Sequence, residues 1–227
     1  MNNMRKNLNR VREQIVQAAS ACKRESDSIL LLAVSKKKPA SDIRQAWELG
    51  QRDFGENYLQ EALQKMEKLE DLDITWHFIG AIQSNKTRNI AEAFDWVHCI
   101  DRAKIARRLS EQRPPDLGPL NVCIQVNIDH ESSKAGIELV ELPELANAIH
   151  QLPGIRLRGL MTIPAPQESF DLQRSAFAKL ANALESLRQQ GIDCDTLSMG
   201  MTQDMEAAIA EGSTLVRIGT AIFGERV

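Results

Sequence analysis

Eight short apolar runs, each followed by a segment with helical periodicity, most strongly limit how this chain can fold. The runs lie at about 29–34, 53–54, 74–79, 95–100, 120–128, 155–161, 194–198 and 214–218. Runs of this kind are typical of strands buried on both faces. Because strand–helix–strand crossovers are right-handed, eight such units predict parallel strands closed into a barrel with the helices outside. An open doubly wound sheet is the alternative, but no Gly-x-Gly-x-x-Gly follows the first run.

The helices are predicted from the spacing of apolar residues. A helix that precedes the first strand is indicated by Leu8, Val11, Ile15, Ala18 and Cys22, which recur at three- and four-residue steps. Another helix is predicted from about Ser169 to Gln190, and Gly191 is placed to end it. Its predicted buried stripe comprises Phe170, Phe177, Leu180, Ala181, Leu184 and Leu187.

The segment Gln112–Pro119 has the proline and glycine content of a linker, but it is short enough to be a loop at the bottom of a barrel. At 227 residues the chain has the length of one barrel domain. We therefore predict an α/β fold with a single domain, residues 1–227: a TIM-like (β/α)8 barrel with an extra N-terminal helix.

The charge balance argues against several classes of partner. The net charge is −3 and no long basic patch occurs, so we expect no binding to nucleic acid. No run approaches the ~18 apolar residues of a membrane span, and we expect no membrane association and a cytoplasmic location. Cys22, Cys99, Cys123 and Cys194 lie far apart, as do the histidines. We interpret the cysteines as reduced core thiols and expect no metal site.

Three consecutive lysines follow the first predicted strand. The segment Ile29–Pro39 is an apolar run that ends in Lys36, Lys37 and Lys38, at the barrel end where active sites lie. Close ammonium groups lower each other's proton affinity, although a solvated basic strand end is the alternative. Period-2 alternation would place Lys36 and Lys38 on one face and Lys37 on the other. It does not choose between Lys36 and Lys38.

The segments after the seventh and eighth strands are typical of a phosphate site. The first is Ser198–Thr202, with Thr202 predicted to cap a helix through Ala210, and the second is Arg217–Thr220. Gly200 and Gly219 permit close backbone approach, and hydroxyls and helix starts favour an anion. Barrels commonly bind phosphate at these two loops, although ordinary turn chemistry would use the same residues.

A lysine beside a phosphate site suggests pyridoxal 5′-phosphate (PLP), since strands 1 and 8 of a closed barrel are neighbours. This cofactor needs an amine for a Schiff base, an anion site, and a partner for its ring nitrogen. Arg217 could approach the ring nitrogen and, being permanently charged, would leave the ring unprotonated. Its alternative role is a salt bridge within the barrel.

Other polar side chains are predicted at the same face, and any of them could line the pocket. They are Glu56, Asn57, Tyr58, His77, Gln83, Ser84, Asn85, Lys86, Asn127 and Lys134. His77 lies between Trp76 and Phe78, which favours a hydrogen-bonded core histidine. Met161 is interpreted as pocket wall or core.

Several segments together closely resemble the pyridoxal-phosphate homeostasis proteins. They are Ala33–Pro39, Phe54–Tyr58, His77–Gly80 with Gln83–Lys86, Arg158–Met161, Leu197–Met201 and Gly212–Gly224. The resemblance covers essentially the whole chain and implies the fold of the alanine racemase N-terminal domain. It also implies a role in vitamin B6 homeostasis without an established reaction.

The resemblance implies site residues too. Lys36 would carry PLP, Arg217 would face the ring nitrogen, and Asn57 would lie beside the ring. Phosphate contacts would come from the region of Ser198, Met199, Gly219 and Thr220. The chain departs from the family pattern at Lys37, often threonine, and at Thr202, often serine. The extra cation at Lys37 could change the pKa of Lys36.

A PLP-dependent amino-acid racemase is the alternative function, and an apo scaffold for protein partners is a third. Alanine racemases resembling this barrel take a second base, a tyrosine, from a C-terminal domain, whereas this chain has one tyrosine, Tyr58. Unless Tyr58 or His77 serves as that base, we expect a carrier without fast catalysis. We expect a monomer, with apo PLP-dependent enzymes as candidate recipients. Lys38, Lys86 and Lys134 are candidate secondary PLP sites.

Overall fold

The predicted apolar runs form eight parallel strands that pair in chain order and close into a barrel. The structure is a computed structural model that describes residues 3–129 and 135–224. The strands are β1 (Leu30–Val34), β2 (Asp53–Glu56), β3 (Thr75–Phe78), β4 (Trp96–Ile100), β5 (Leu120–Gln125), β6 (Ile155–Met161), β7 (Thr196–Ser198) and β8 (Leu215–Ile218). Closure is made by β1 and β8, where Leu30 pairs with Leu215 and Ala33 with Ile218. The barrel prediction is therefore confirmed.

Helices follow the strands and surround the barrel. Those described are α1 (Asn3–Ala21), α2 (Ala40–Glu48), α3 (Leu59–Lys68), α4 (Thr87–Ala93), α5 (Ala103–Gln112), α6 (Leu142–His150), α7 (Phe170–Gln189), α8 (Met205–Ala210) and α9 (Thr220–Phe223). The predicted loop at 112–119 joins α5 to β5 and contains a short 3-10 turn, Pro115–Leu117.

The extra N-terminal helix α1 packs against the C-terminal part of the barrel. Its apolar stripe is buried as predicted from Leu8 through Ala18, whereas Cys22 is a correction, because it lies beyond the end of the helix and is only half-buried. The Asn7 side chain donates to the Ile222 carbonyl at 3.0 Å. Helix α7 also lies where it was predicted, and the Ser169 hydroxyl accepts from Leu172 N–H at its start. Phe170 is a correction: it is 48% exposed, because the first turn of α7 extends beyond the core.

Gly159 on β6 shows how tightly the barrel strands are packed. A Cβ at this position would collide with the Thr196 carbonyl of β7, which is backbone and cannot move aside. We expect Gly159→Ala to lower the free energy of unfolding by about 3 kcal/mol, measured by urea denaturation. Gly55→Ala on β2 is the control, because the atoms nearest to its Cβ would belong to the side chains of Ile79 and Leu32, at 3.2 and 3.3 Å, rather than to backbone. Equal losses in the two variants would contradict this expectation.

The structure shows the state of the cysteines, the grouping of possible metal ligands and the apolar character of the helices. Cys99, Cys123 and Cys194 are buried and Cys22 is half-buried, all as free thiols. Burial raises the pKa of Cys194 to about 11, which disfavours the reactive thiolate. In residues 3–129 and 135–224, no three or more His, Cys, Asp or Glu side chains are grouped to hold a metal ion. No helix in these ranges combines the length and apolar character needed to cross a membrane.

Candidate functional site

The three lysines lie in a tight turn rather than at the end of a strand. Strand β1 ends at Val34, and Lys38 N–H donates to the Ser35 carbonyl at 3.0 Å to close the turn. Lys37 adopts a left-handed conformation with φ of 60°, which is unusual for a long side chain. Period-2 alternation does not extend to these lysines, because β1 ends before them. Lys36 and Lys38 nevertheless line one small cavity, whereas Lys37 is exposed, in keeping with the predicted separation.

The structure distinguishes Lys36 from Lys38, which the residue pattern did not. Lys38 Nζ donates to the Phe223 carbonyl at 3.1 Å. Lys36 and Arg217 line the same cavity of about 170 Å³, whereas Lys38 is not among the residues that line this cavity. Lys37 Nζ lies 6.0 Å from the ring centroid of Tyr58, outside this cavity. Lys36 is therefore the lysine of this turn that shares a cavity with Arg217.

The cavity lies at the carboxyl end of the barrel and draws on most of its strand ends. Its lining residues are Val34, Lys36, Asn57, Ile79, Met161, Ile163, Met201, Thr202, Arg217, Gly219 and Thr220. Met161, predicted as pocket wall or core, lines this cavity and is also buried. A larger cavity of about 570 Å³ adjoins it and shares Met201, Thr202 and Thr220. The larger cavity has neither Lys36 nor Arg217 in its wall, so the chemistry places the candidate site in the smaller one.

Arg217 contributes a buried, oriented cation to the cavity wall. It is 5% exposed, and Nη1 donates to the carbonyl and hydroxyl oxygens of Ser198 at 2.6 and 2.8 Å. Nη2 donates to the Thr162 carbonyl at 2.8 Å. Burial lowers the pKa of Arg217 to about 10, against the opposing effect of Asp204. The guanidinium therefore stays charged at neutral pH, held by neutral oxygens within the described chain.

Ser198 and Met199 are not among the described residues that line the cavity. Both are fully buried. The Ser198 hydroxyl is engaged by Arg217, and Met199 N–H donates to the Leu215 carbonyl at 3.1 Å. Gly219 and Thr220 do line the cavity, so the structure brings together Lys36, Asn57, Arg217, Gly219 and Thr220 without the other two.

Thr202 lines the cavity but does not cap a helix. Helix α8 begins at Met205, with Asp204 preceding it. The Asp204 carboxylate accepts from Met201 N–H at 2.6 Å, which closes a turn over residues 201–204 before the helix starts. The predicted helix start was therefore wrong by two residues, because a turn over residues 201–204 precedes the helix.

Asn57 has a buried side-chain acceptor without a partner among the described residues. The residue lines the cavity, and within residues 3–129 and 135–224 no hydrogen-bond donor reaches its Oδ1. Buried polar atoms are nearly always paired in folded proteins. An orphaned acceptor in a cavity wall therefore fits a site that receives a polar ligand.

A buried ionic cluster holds the backbone of the lysine turn. It was not predicted from the sequence. Lys65 of α3 lies 2.7 Å from Glu56 and 2.6 Å from Glu61, and it donates to the Ser35 carbonyl at 2.8 Å. Glu61 also accepts from Lys37 N–H at 2.5 Å. Burial raises the pKa of Glu56, and Lys65 opposes that rise. The available signal was Lys65 itself, a charge in the apolar stripe of α3 with Leu59 and Ala62.

The remaining predicted residues are distributed around the barrel. His77 is a fully buried, hydrogen-bonded core histidine, as predicted. Tyr58, Gln83 and Lys86 line a separate cavity of about 410 Å³ that shares Asn57. Asn127 N–H donates to the Ile137 carbonyl. Lys134 lies outside the described residues.

Known proteins resemble this chain over its full length. The model of the family "Alanine racemase, N-terminal domain" matches residues 2–227. Proteins named pyridoxal phosphate homeostasis protein are 57% identical in Pseudomonas aeruginosa and 55% identical in Escherichia coli K12. Both alignments cover 100% of this chain, and they cover 97% and 98% of those relatives.

Solved structures agree with this likeness. PipY of Synechococcus elongatus with PLP bound is 36% identical, with a TM-score of 0.83 over 97% of this chain and 100% of that one. Alanine racemase from Corynebacterium glutamicum is 20% identical, with a TM-score of 0.68 over 97% of this chain and 60% of that one. The second likeness extends only to the fold.

Proposed function

Because the chain belongs to the pyridoxal phosphate homeostasis proteins of the alanine racemase N-terminal domain family, we propose that it binds PLP and serves vitamin B6 homeostasis. The observation that carries the proposal is one cavity lined by both Lys36 and Arg217 at the carboxyl end of the barrel. An amine and a permanent cation at one pocket match the aldehyde and the ring nitrogen of this cofactor.

Each lining residue has a proposed part in holding the cofactor. PLP supplies an aldehyde, to which the Lys36 amine would be linked as a Schiff base. Arg217 would present its cation to the ring nitrogen and thereby exclude a proton from it. Asn57 lines the same cavity, and its Oδ1, which has no partner among the described residues, would be available as an acceptor.

Gly219 and Thr220 are the proposed phosphate contacts, with Thr202 beside them in the wall. Gly219 lies close to β1, since a Cβ there would be 3.1 Å from the Val34 carbonyl. A glycine permits that approach. Ser198 would act through Arg217 rather than on the phosphate, and Met199 would help to fix the end of β7.

The site supports holding PLP better than racemisation. A two-base racemase needs an acid or base on each face of the substrate carbon. Tyr58 and His77, the candidate second bases, do not line the cavity of Lys36 as the described residues form it. His77 is fully buried. We accordingly propose a cytoplasmic, monomeric carrier whose recipients are apo PLP-dependent enzymes.

Two measurements test the proposed function. Titration with PLP should give a saturable absorption band that borohydride converts into a permanent protein adduct; a scaffold that binds no cofactor gives neither. Incubation of the PLP-loaded protein with single enantiomers of several amino acids should leave optical activity essentially unchanged. Rapid loss of optical activity that disappears in Lys36→Ala would contradict the carrier function and establish the racemase.

A further inference from the structure

A continuous chain of buried hydrogen bonds crosses the barrel and ends at Arg217. The Ser198 hydroxyl lies 2.8 Å from His98 Nδ1, and His98 Nε2 lies 2.9 Å from His77 Nδ1. His77 Nε2 lies 3.1 Å from the Asp53 carboxylate. Asp53 is the first residue of β2, so this series of hydrogen bonds reaches the end of the barrel opposite to the cavity.

The two ends of this chain determine the direction of every hydrogen bond in it. A guanidinium can only donate, so the Ser198 hydroxyl accepts from Arg217 at one end. An ionised carboxylate can only accept, so His77 donates from Nε2 to Asp53 at the other. If both imidazoles are neutral, His98 then donates from Nε2 to His77. Ser198 must in turn donate its hydrogen to Nδ1 of His98.

The surroundings favour two neutral imidazoles. Both rings are fully buried, and an additional charge would have to be desolvated close to the Arg217 cation. Burial places the pKa of His98 well below its ordinary value, and the Arg217 cation lowers it further. The Trp96 ring stacks on His77 with centroids 5.5 Å apart and an interplanar angle of 9°, which helps to hold that imidazole in plane.

We infer that Asp53, His77, His98 and Ser198 are positioning residues that orient the Arg217 guanidinium in the cavity wall. All four hydrogen bonds point from the cation toward the anion, so their dipoles add and stabilise the buried charge. A carboxylate at the far end of the barrel is thereby coupled to the residue proposed to meet the cofactor ring. The coupling to the ligand rests on the proposed function, whereas the tautomers do not.

Asp53→Asn is the informative change, because it keeps the shape of the side chain and removes the charge that sets the direction. An amide both donates and accepts, so the chain can also run in reverse. Asp73→Asn is the matched control: it removes an exposed carboxylate just before β3. We expect PLP to bind Asp53→Asn about fivefold more weakly than wild type, with no change in Asp73→Asn.

The tautomers are measured on the cofactor-free protein by long-range proton–nitrogen NMR of labelled histidines, assigned with His77→Gln and His98→Gln. Both rings should be neutral with the proton on Nε2 in wild type, and Asp53→Asn should give mixed tautomers. A charged imidazole ring, or a proton on Nδ1 of either histidine, would overturn the proposed alignment of the hydrogen bonds. Equal PLP affinities in the Asp53 and Asp73 variants would overturn the coupling. Failure of wild type to bind PLP would instead remove the proposed function.

Discussion

Lys36→Ala is expected to abolish the borohydride-reducible adduct between the protein and PLP. Lys36 alone among the three lysines of the turn lines the cavity shared with Arg217, and removal of its amine leaves no Schiff-base partner there. The measurement is the mass of the intact protein after incubation with PLP and borohydride. The variant should keep the unmodified mass, while wild type gains one cofactor.

Lys38→Ala is the matched control, since Lys38 lies in the same turn and its amine donates to the Phe223 carbonyl. This variant should retain the adduct, and peptide mapping of wild type should place it on Lys36. An adduct mapped to Lys38 in wild type would refute the assignment. An adduct that survives in Lys36→Ala on Lys38 would show that the adjacent small cavity, which both lysines line, also admits the aldehyde.

Lys65→Met is expected to lower the free energy of unfolding by about 3–5 kcal/mol. The Glu56 side chain has no exposed surface, and Lys65 lies 2.7 Å from it. Loss of the ammonium would leave a buried carboxylate without its counter-charge. Urea denaturation measures the loss, and Lys68→Met, an exposed position on the same helix, should change stability by less than about 0.5 kcal/mol.

The loss in Lys65→Met should depend on pH in a defined direction. Burial already raises the pKa of Glu56 above its ordinary 4.5, while Lys65 holds it down. A carboxyl whose folded pKa is raised contributes stability below its unfolded pKa and loses it as pH rises through the folded value. Without Lys65 the pKa rises further, so the destabilisation should be larger at pH 8 than at pH 5. A loss that is equal at both values would mean that Glu56 is not the source.

The barrel could be predicted from the sequence because each strand is a short apolar run and each helix carries a separate stripe. Even the weakest run, at residues 53–54, lies within a strand, Asp53–Glu56. The start of α8 could not be predicted, because Thr202 and Asp204 are both good capping residues. Which of them precedes the helix depends on the local turn, and here residues 201–204 form a turn in which the Asp204 carboxylate accepts from Met201 N–H.

The candidate site was predictable in its position and less so in its contacts. The barrel topology located Arg217 and the lysines at 36–38, but it could not choose between Lys36 and Lys38. The contact of Ser198 could not be read locally, because its hydroxyl accepts from Arg217 of the neighbouring strand. His98 was likewise missed. Its partners come from β3 and β7, and contacts between distant strands leave no periodic pattern in the sequence.

Barrel closure between β1 and β8 has a consequence for when the cofactor can be acquired. Lys36 follows the first strand, whereas Arg217 belongs to the eighth, and the pocket needs both. During translation, the nascent chain therefore has no complete pocket until β8 has left the ribosome. Pairing of strands so distant in sequence is also slow relative to local folding. Uptake of the aldehyde should accordingly follow synthesis of the barrel rather than accompany it.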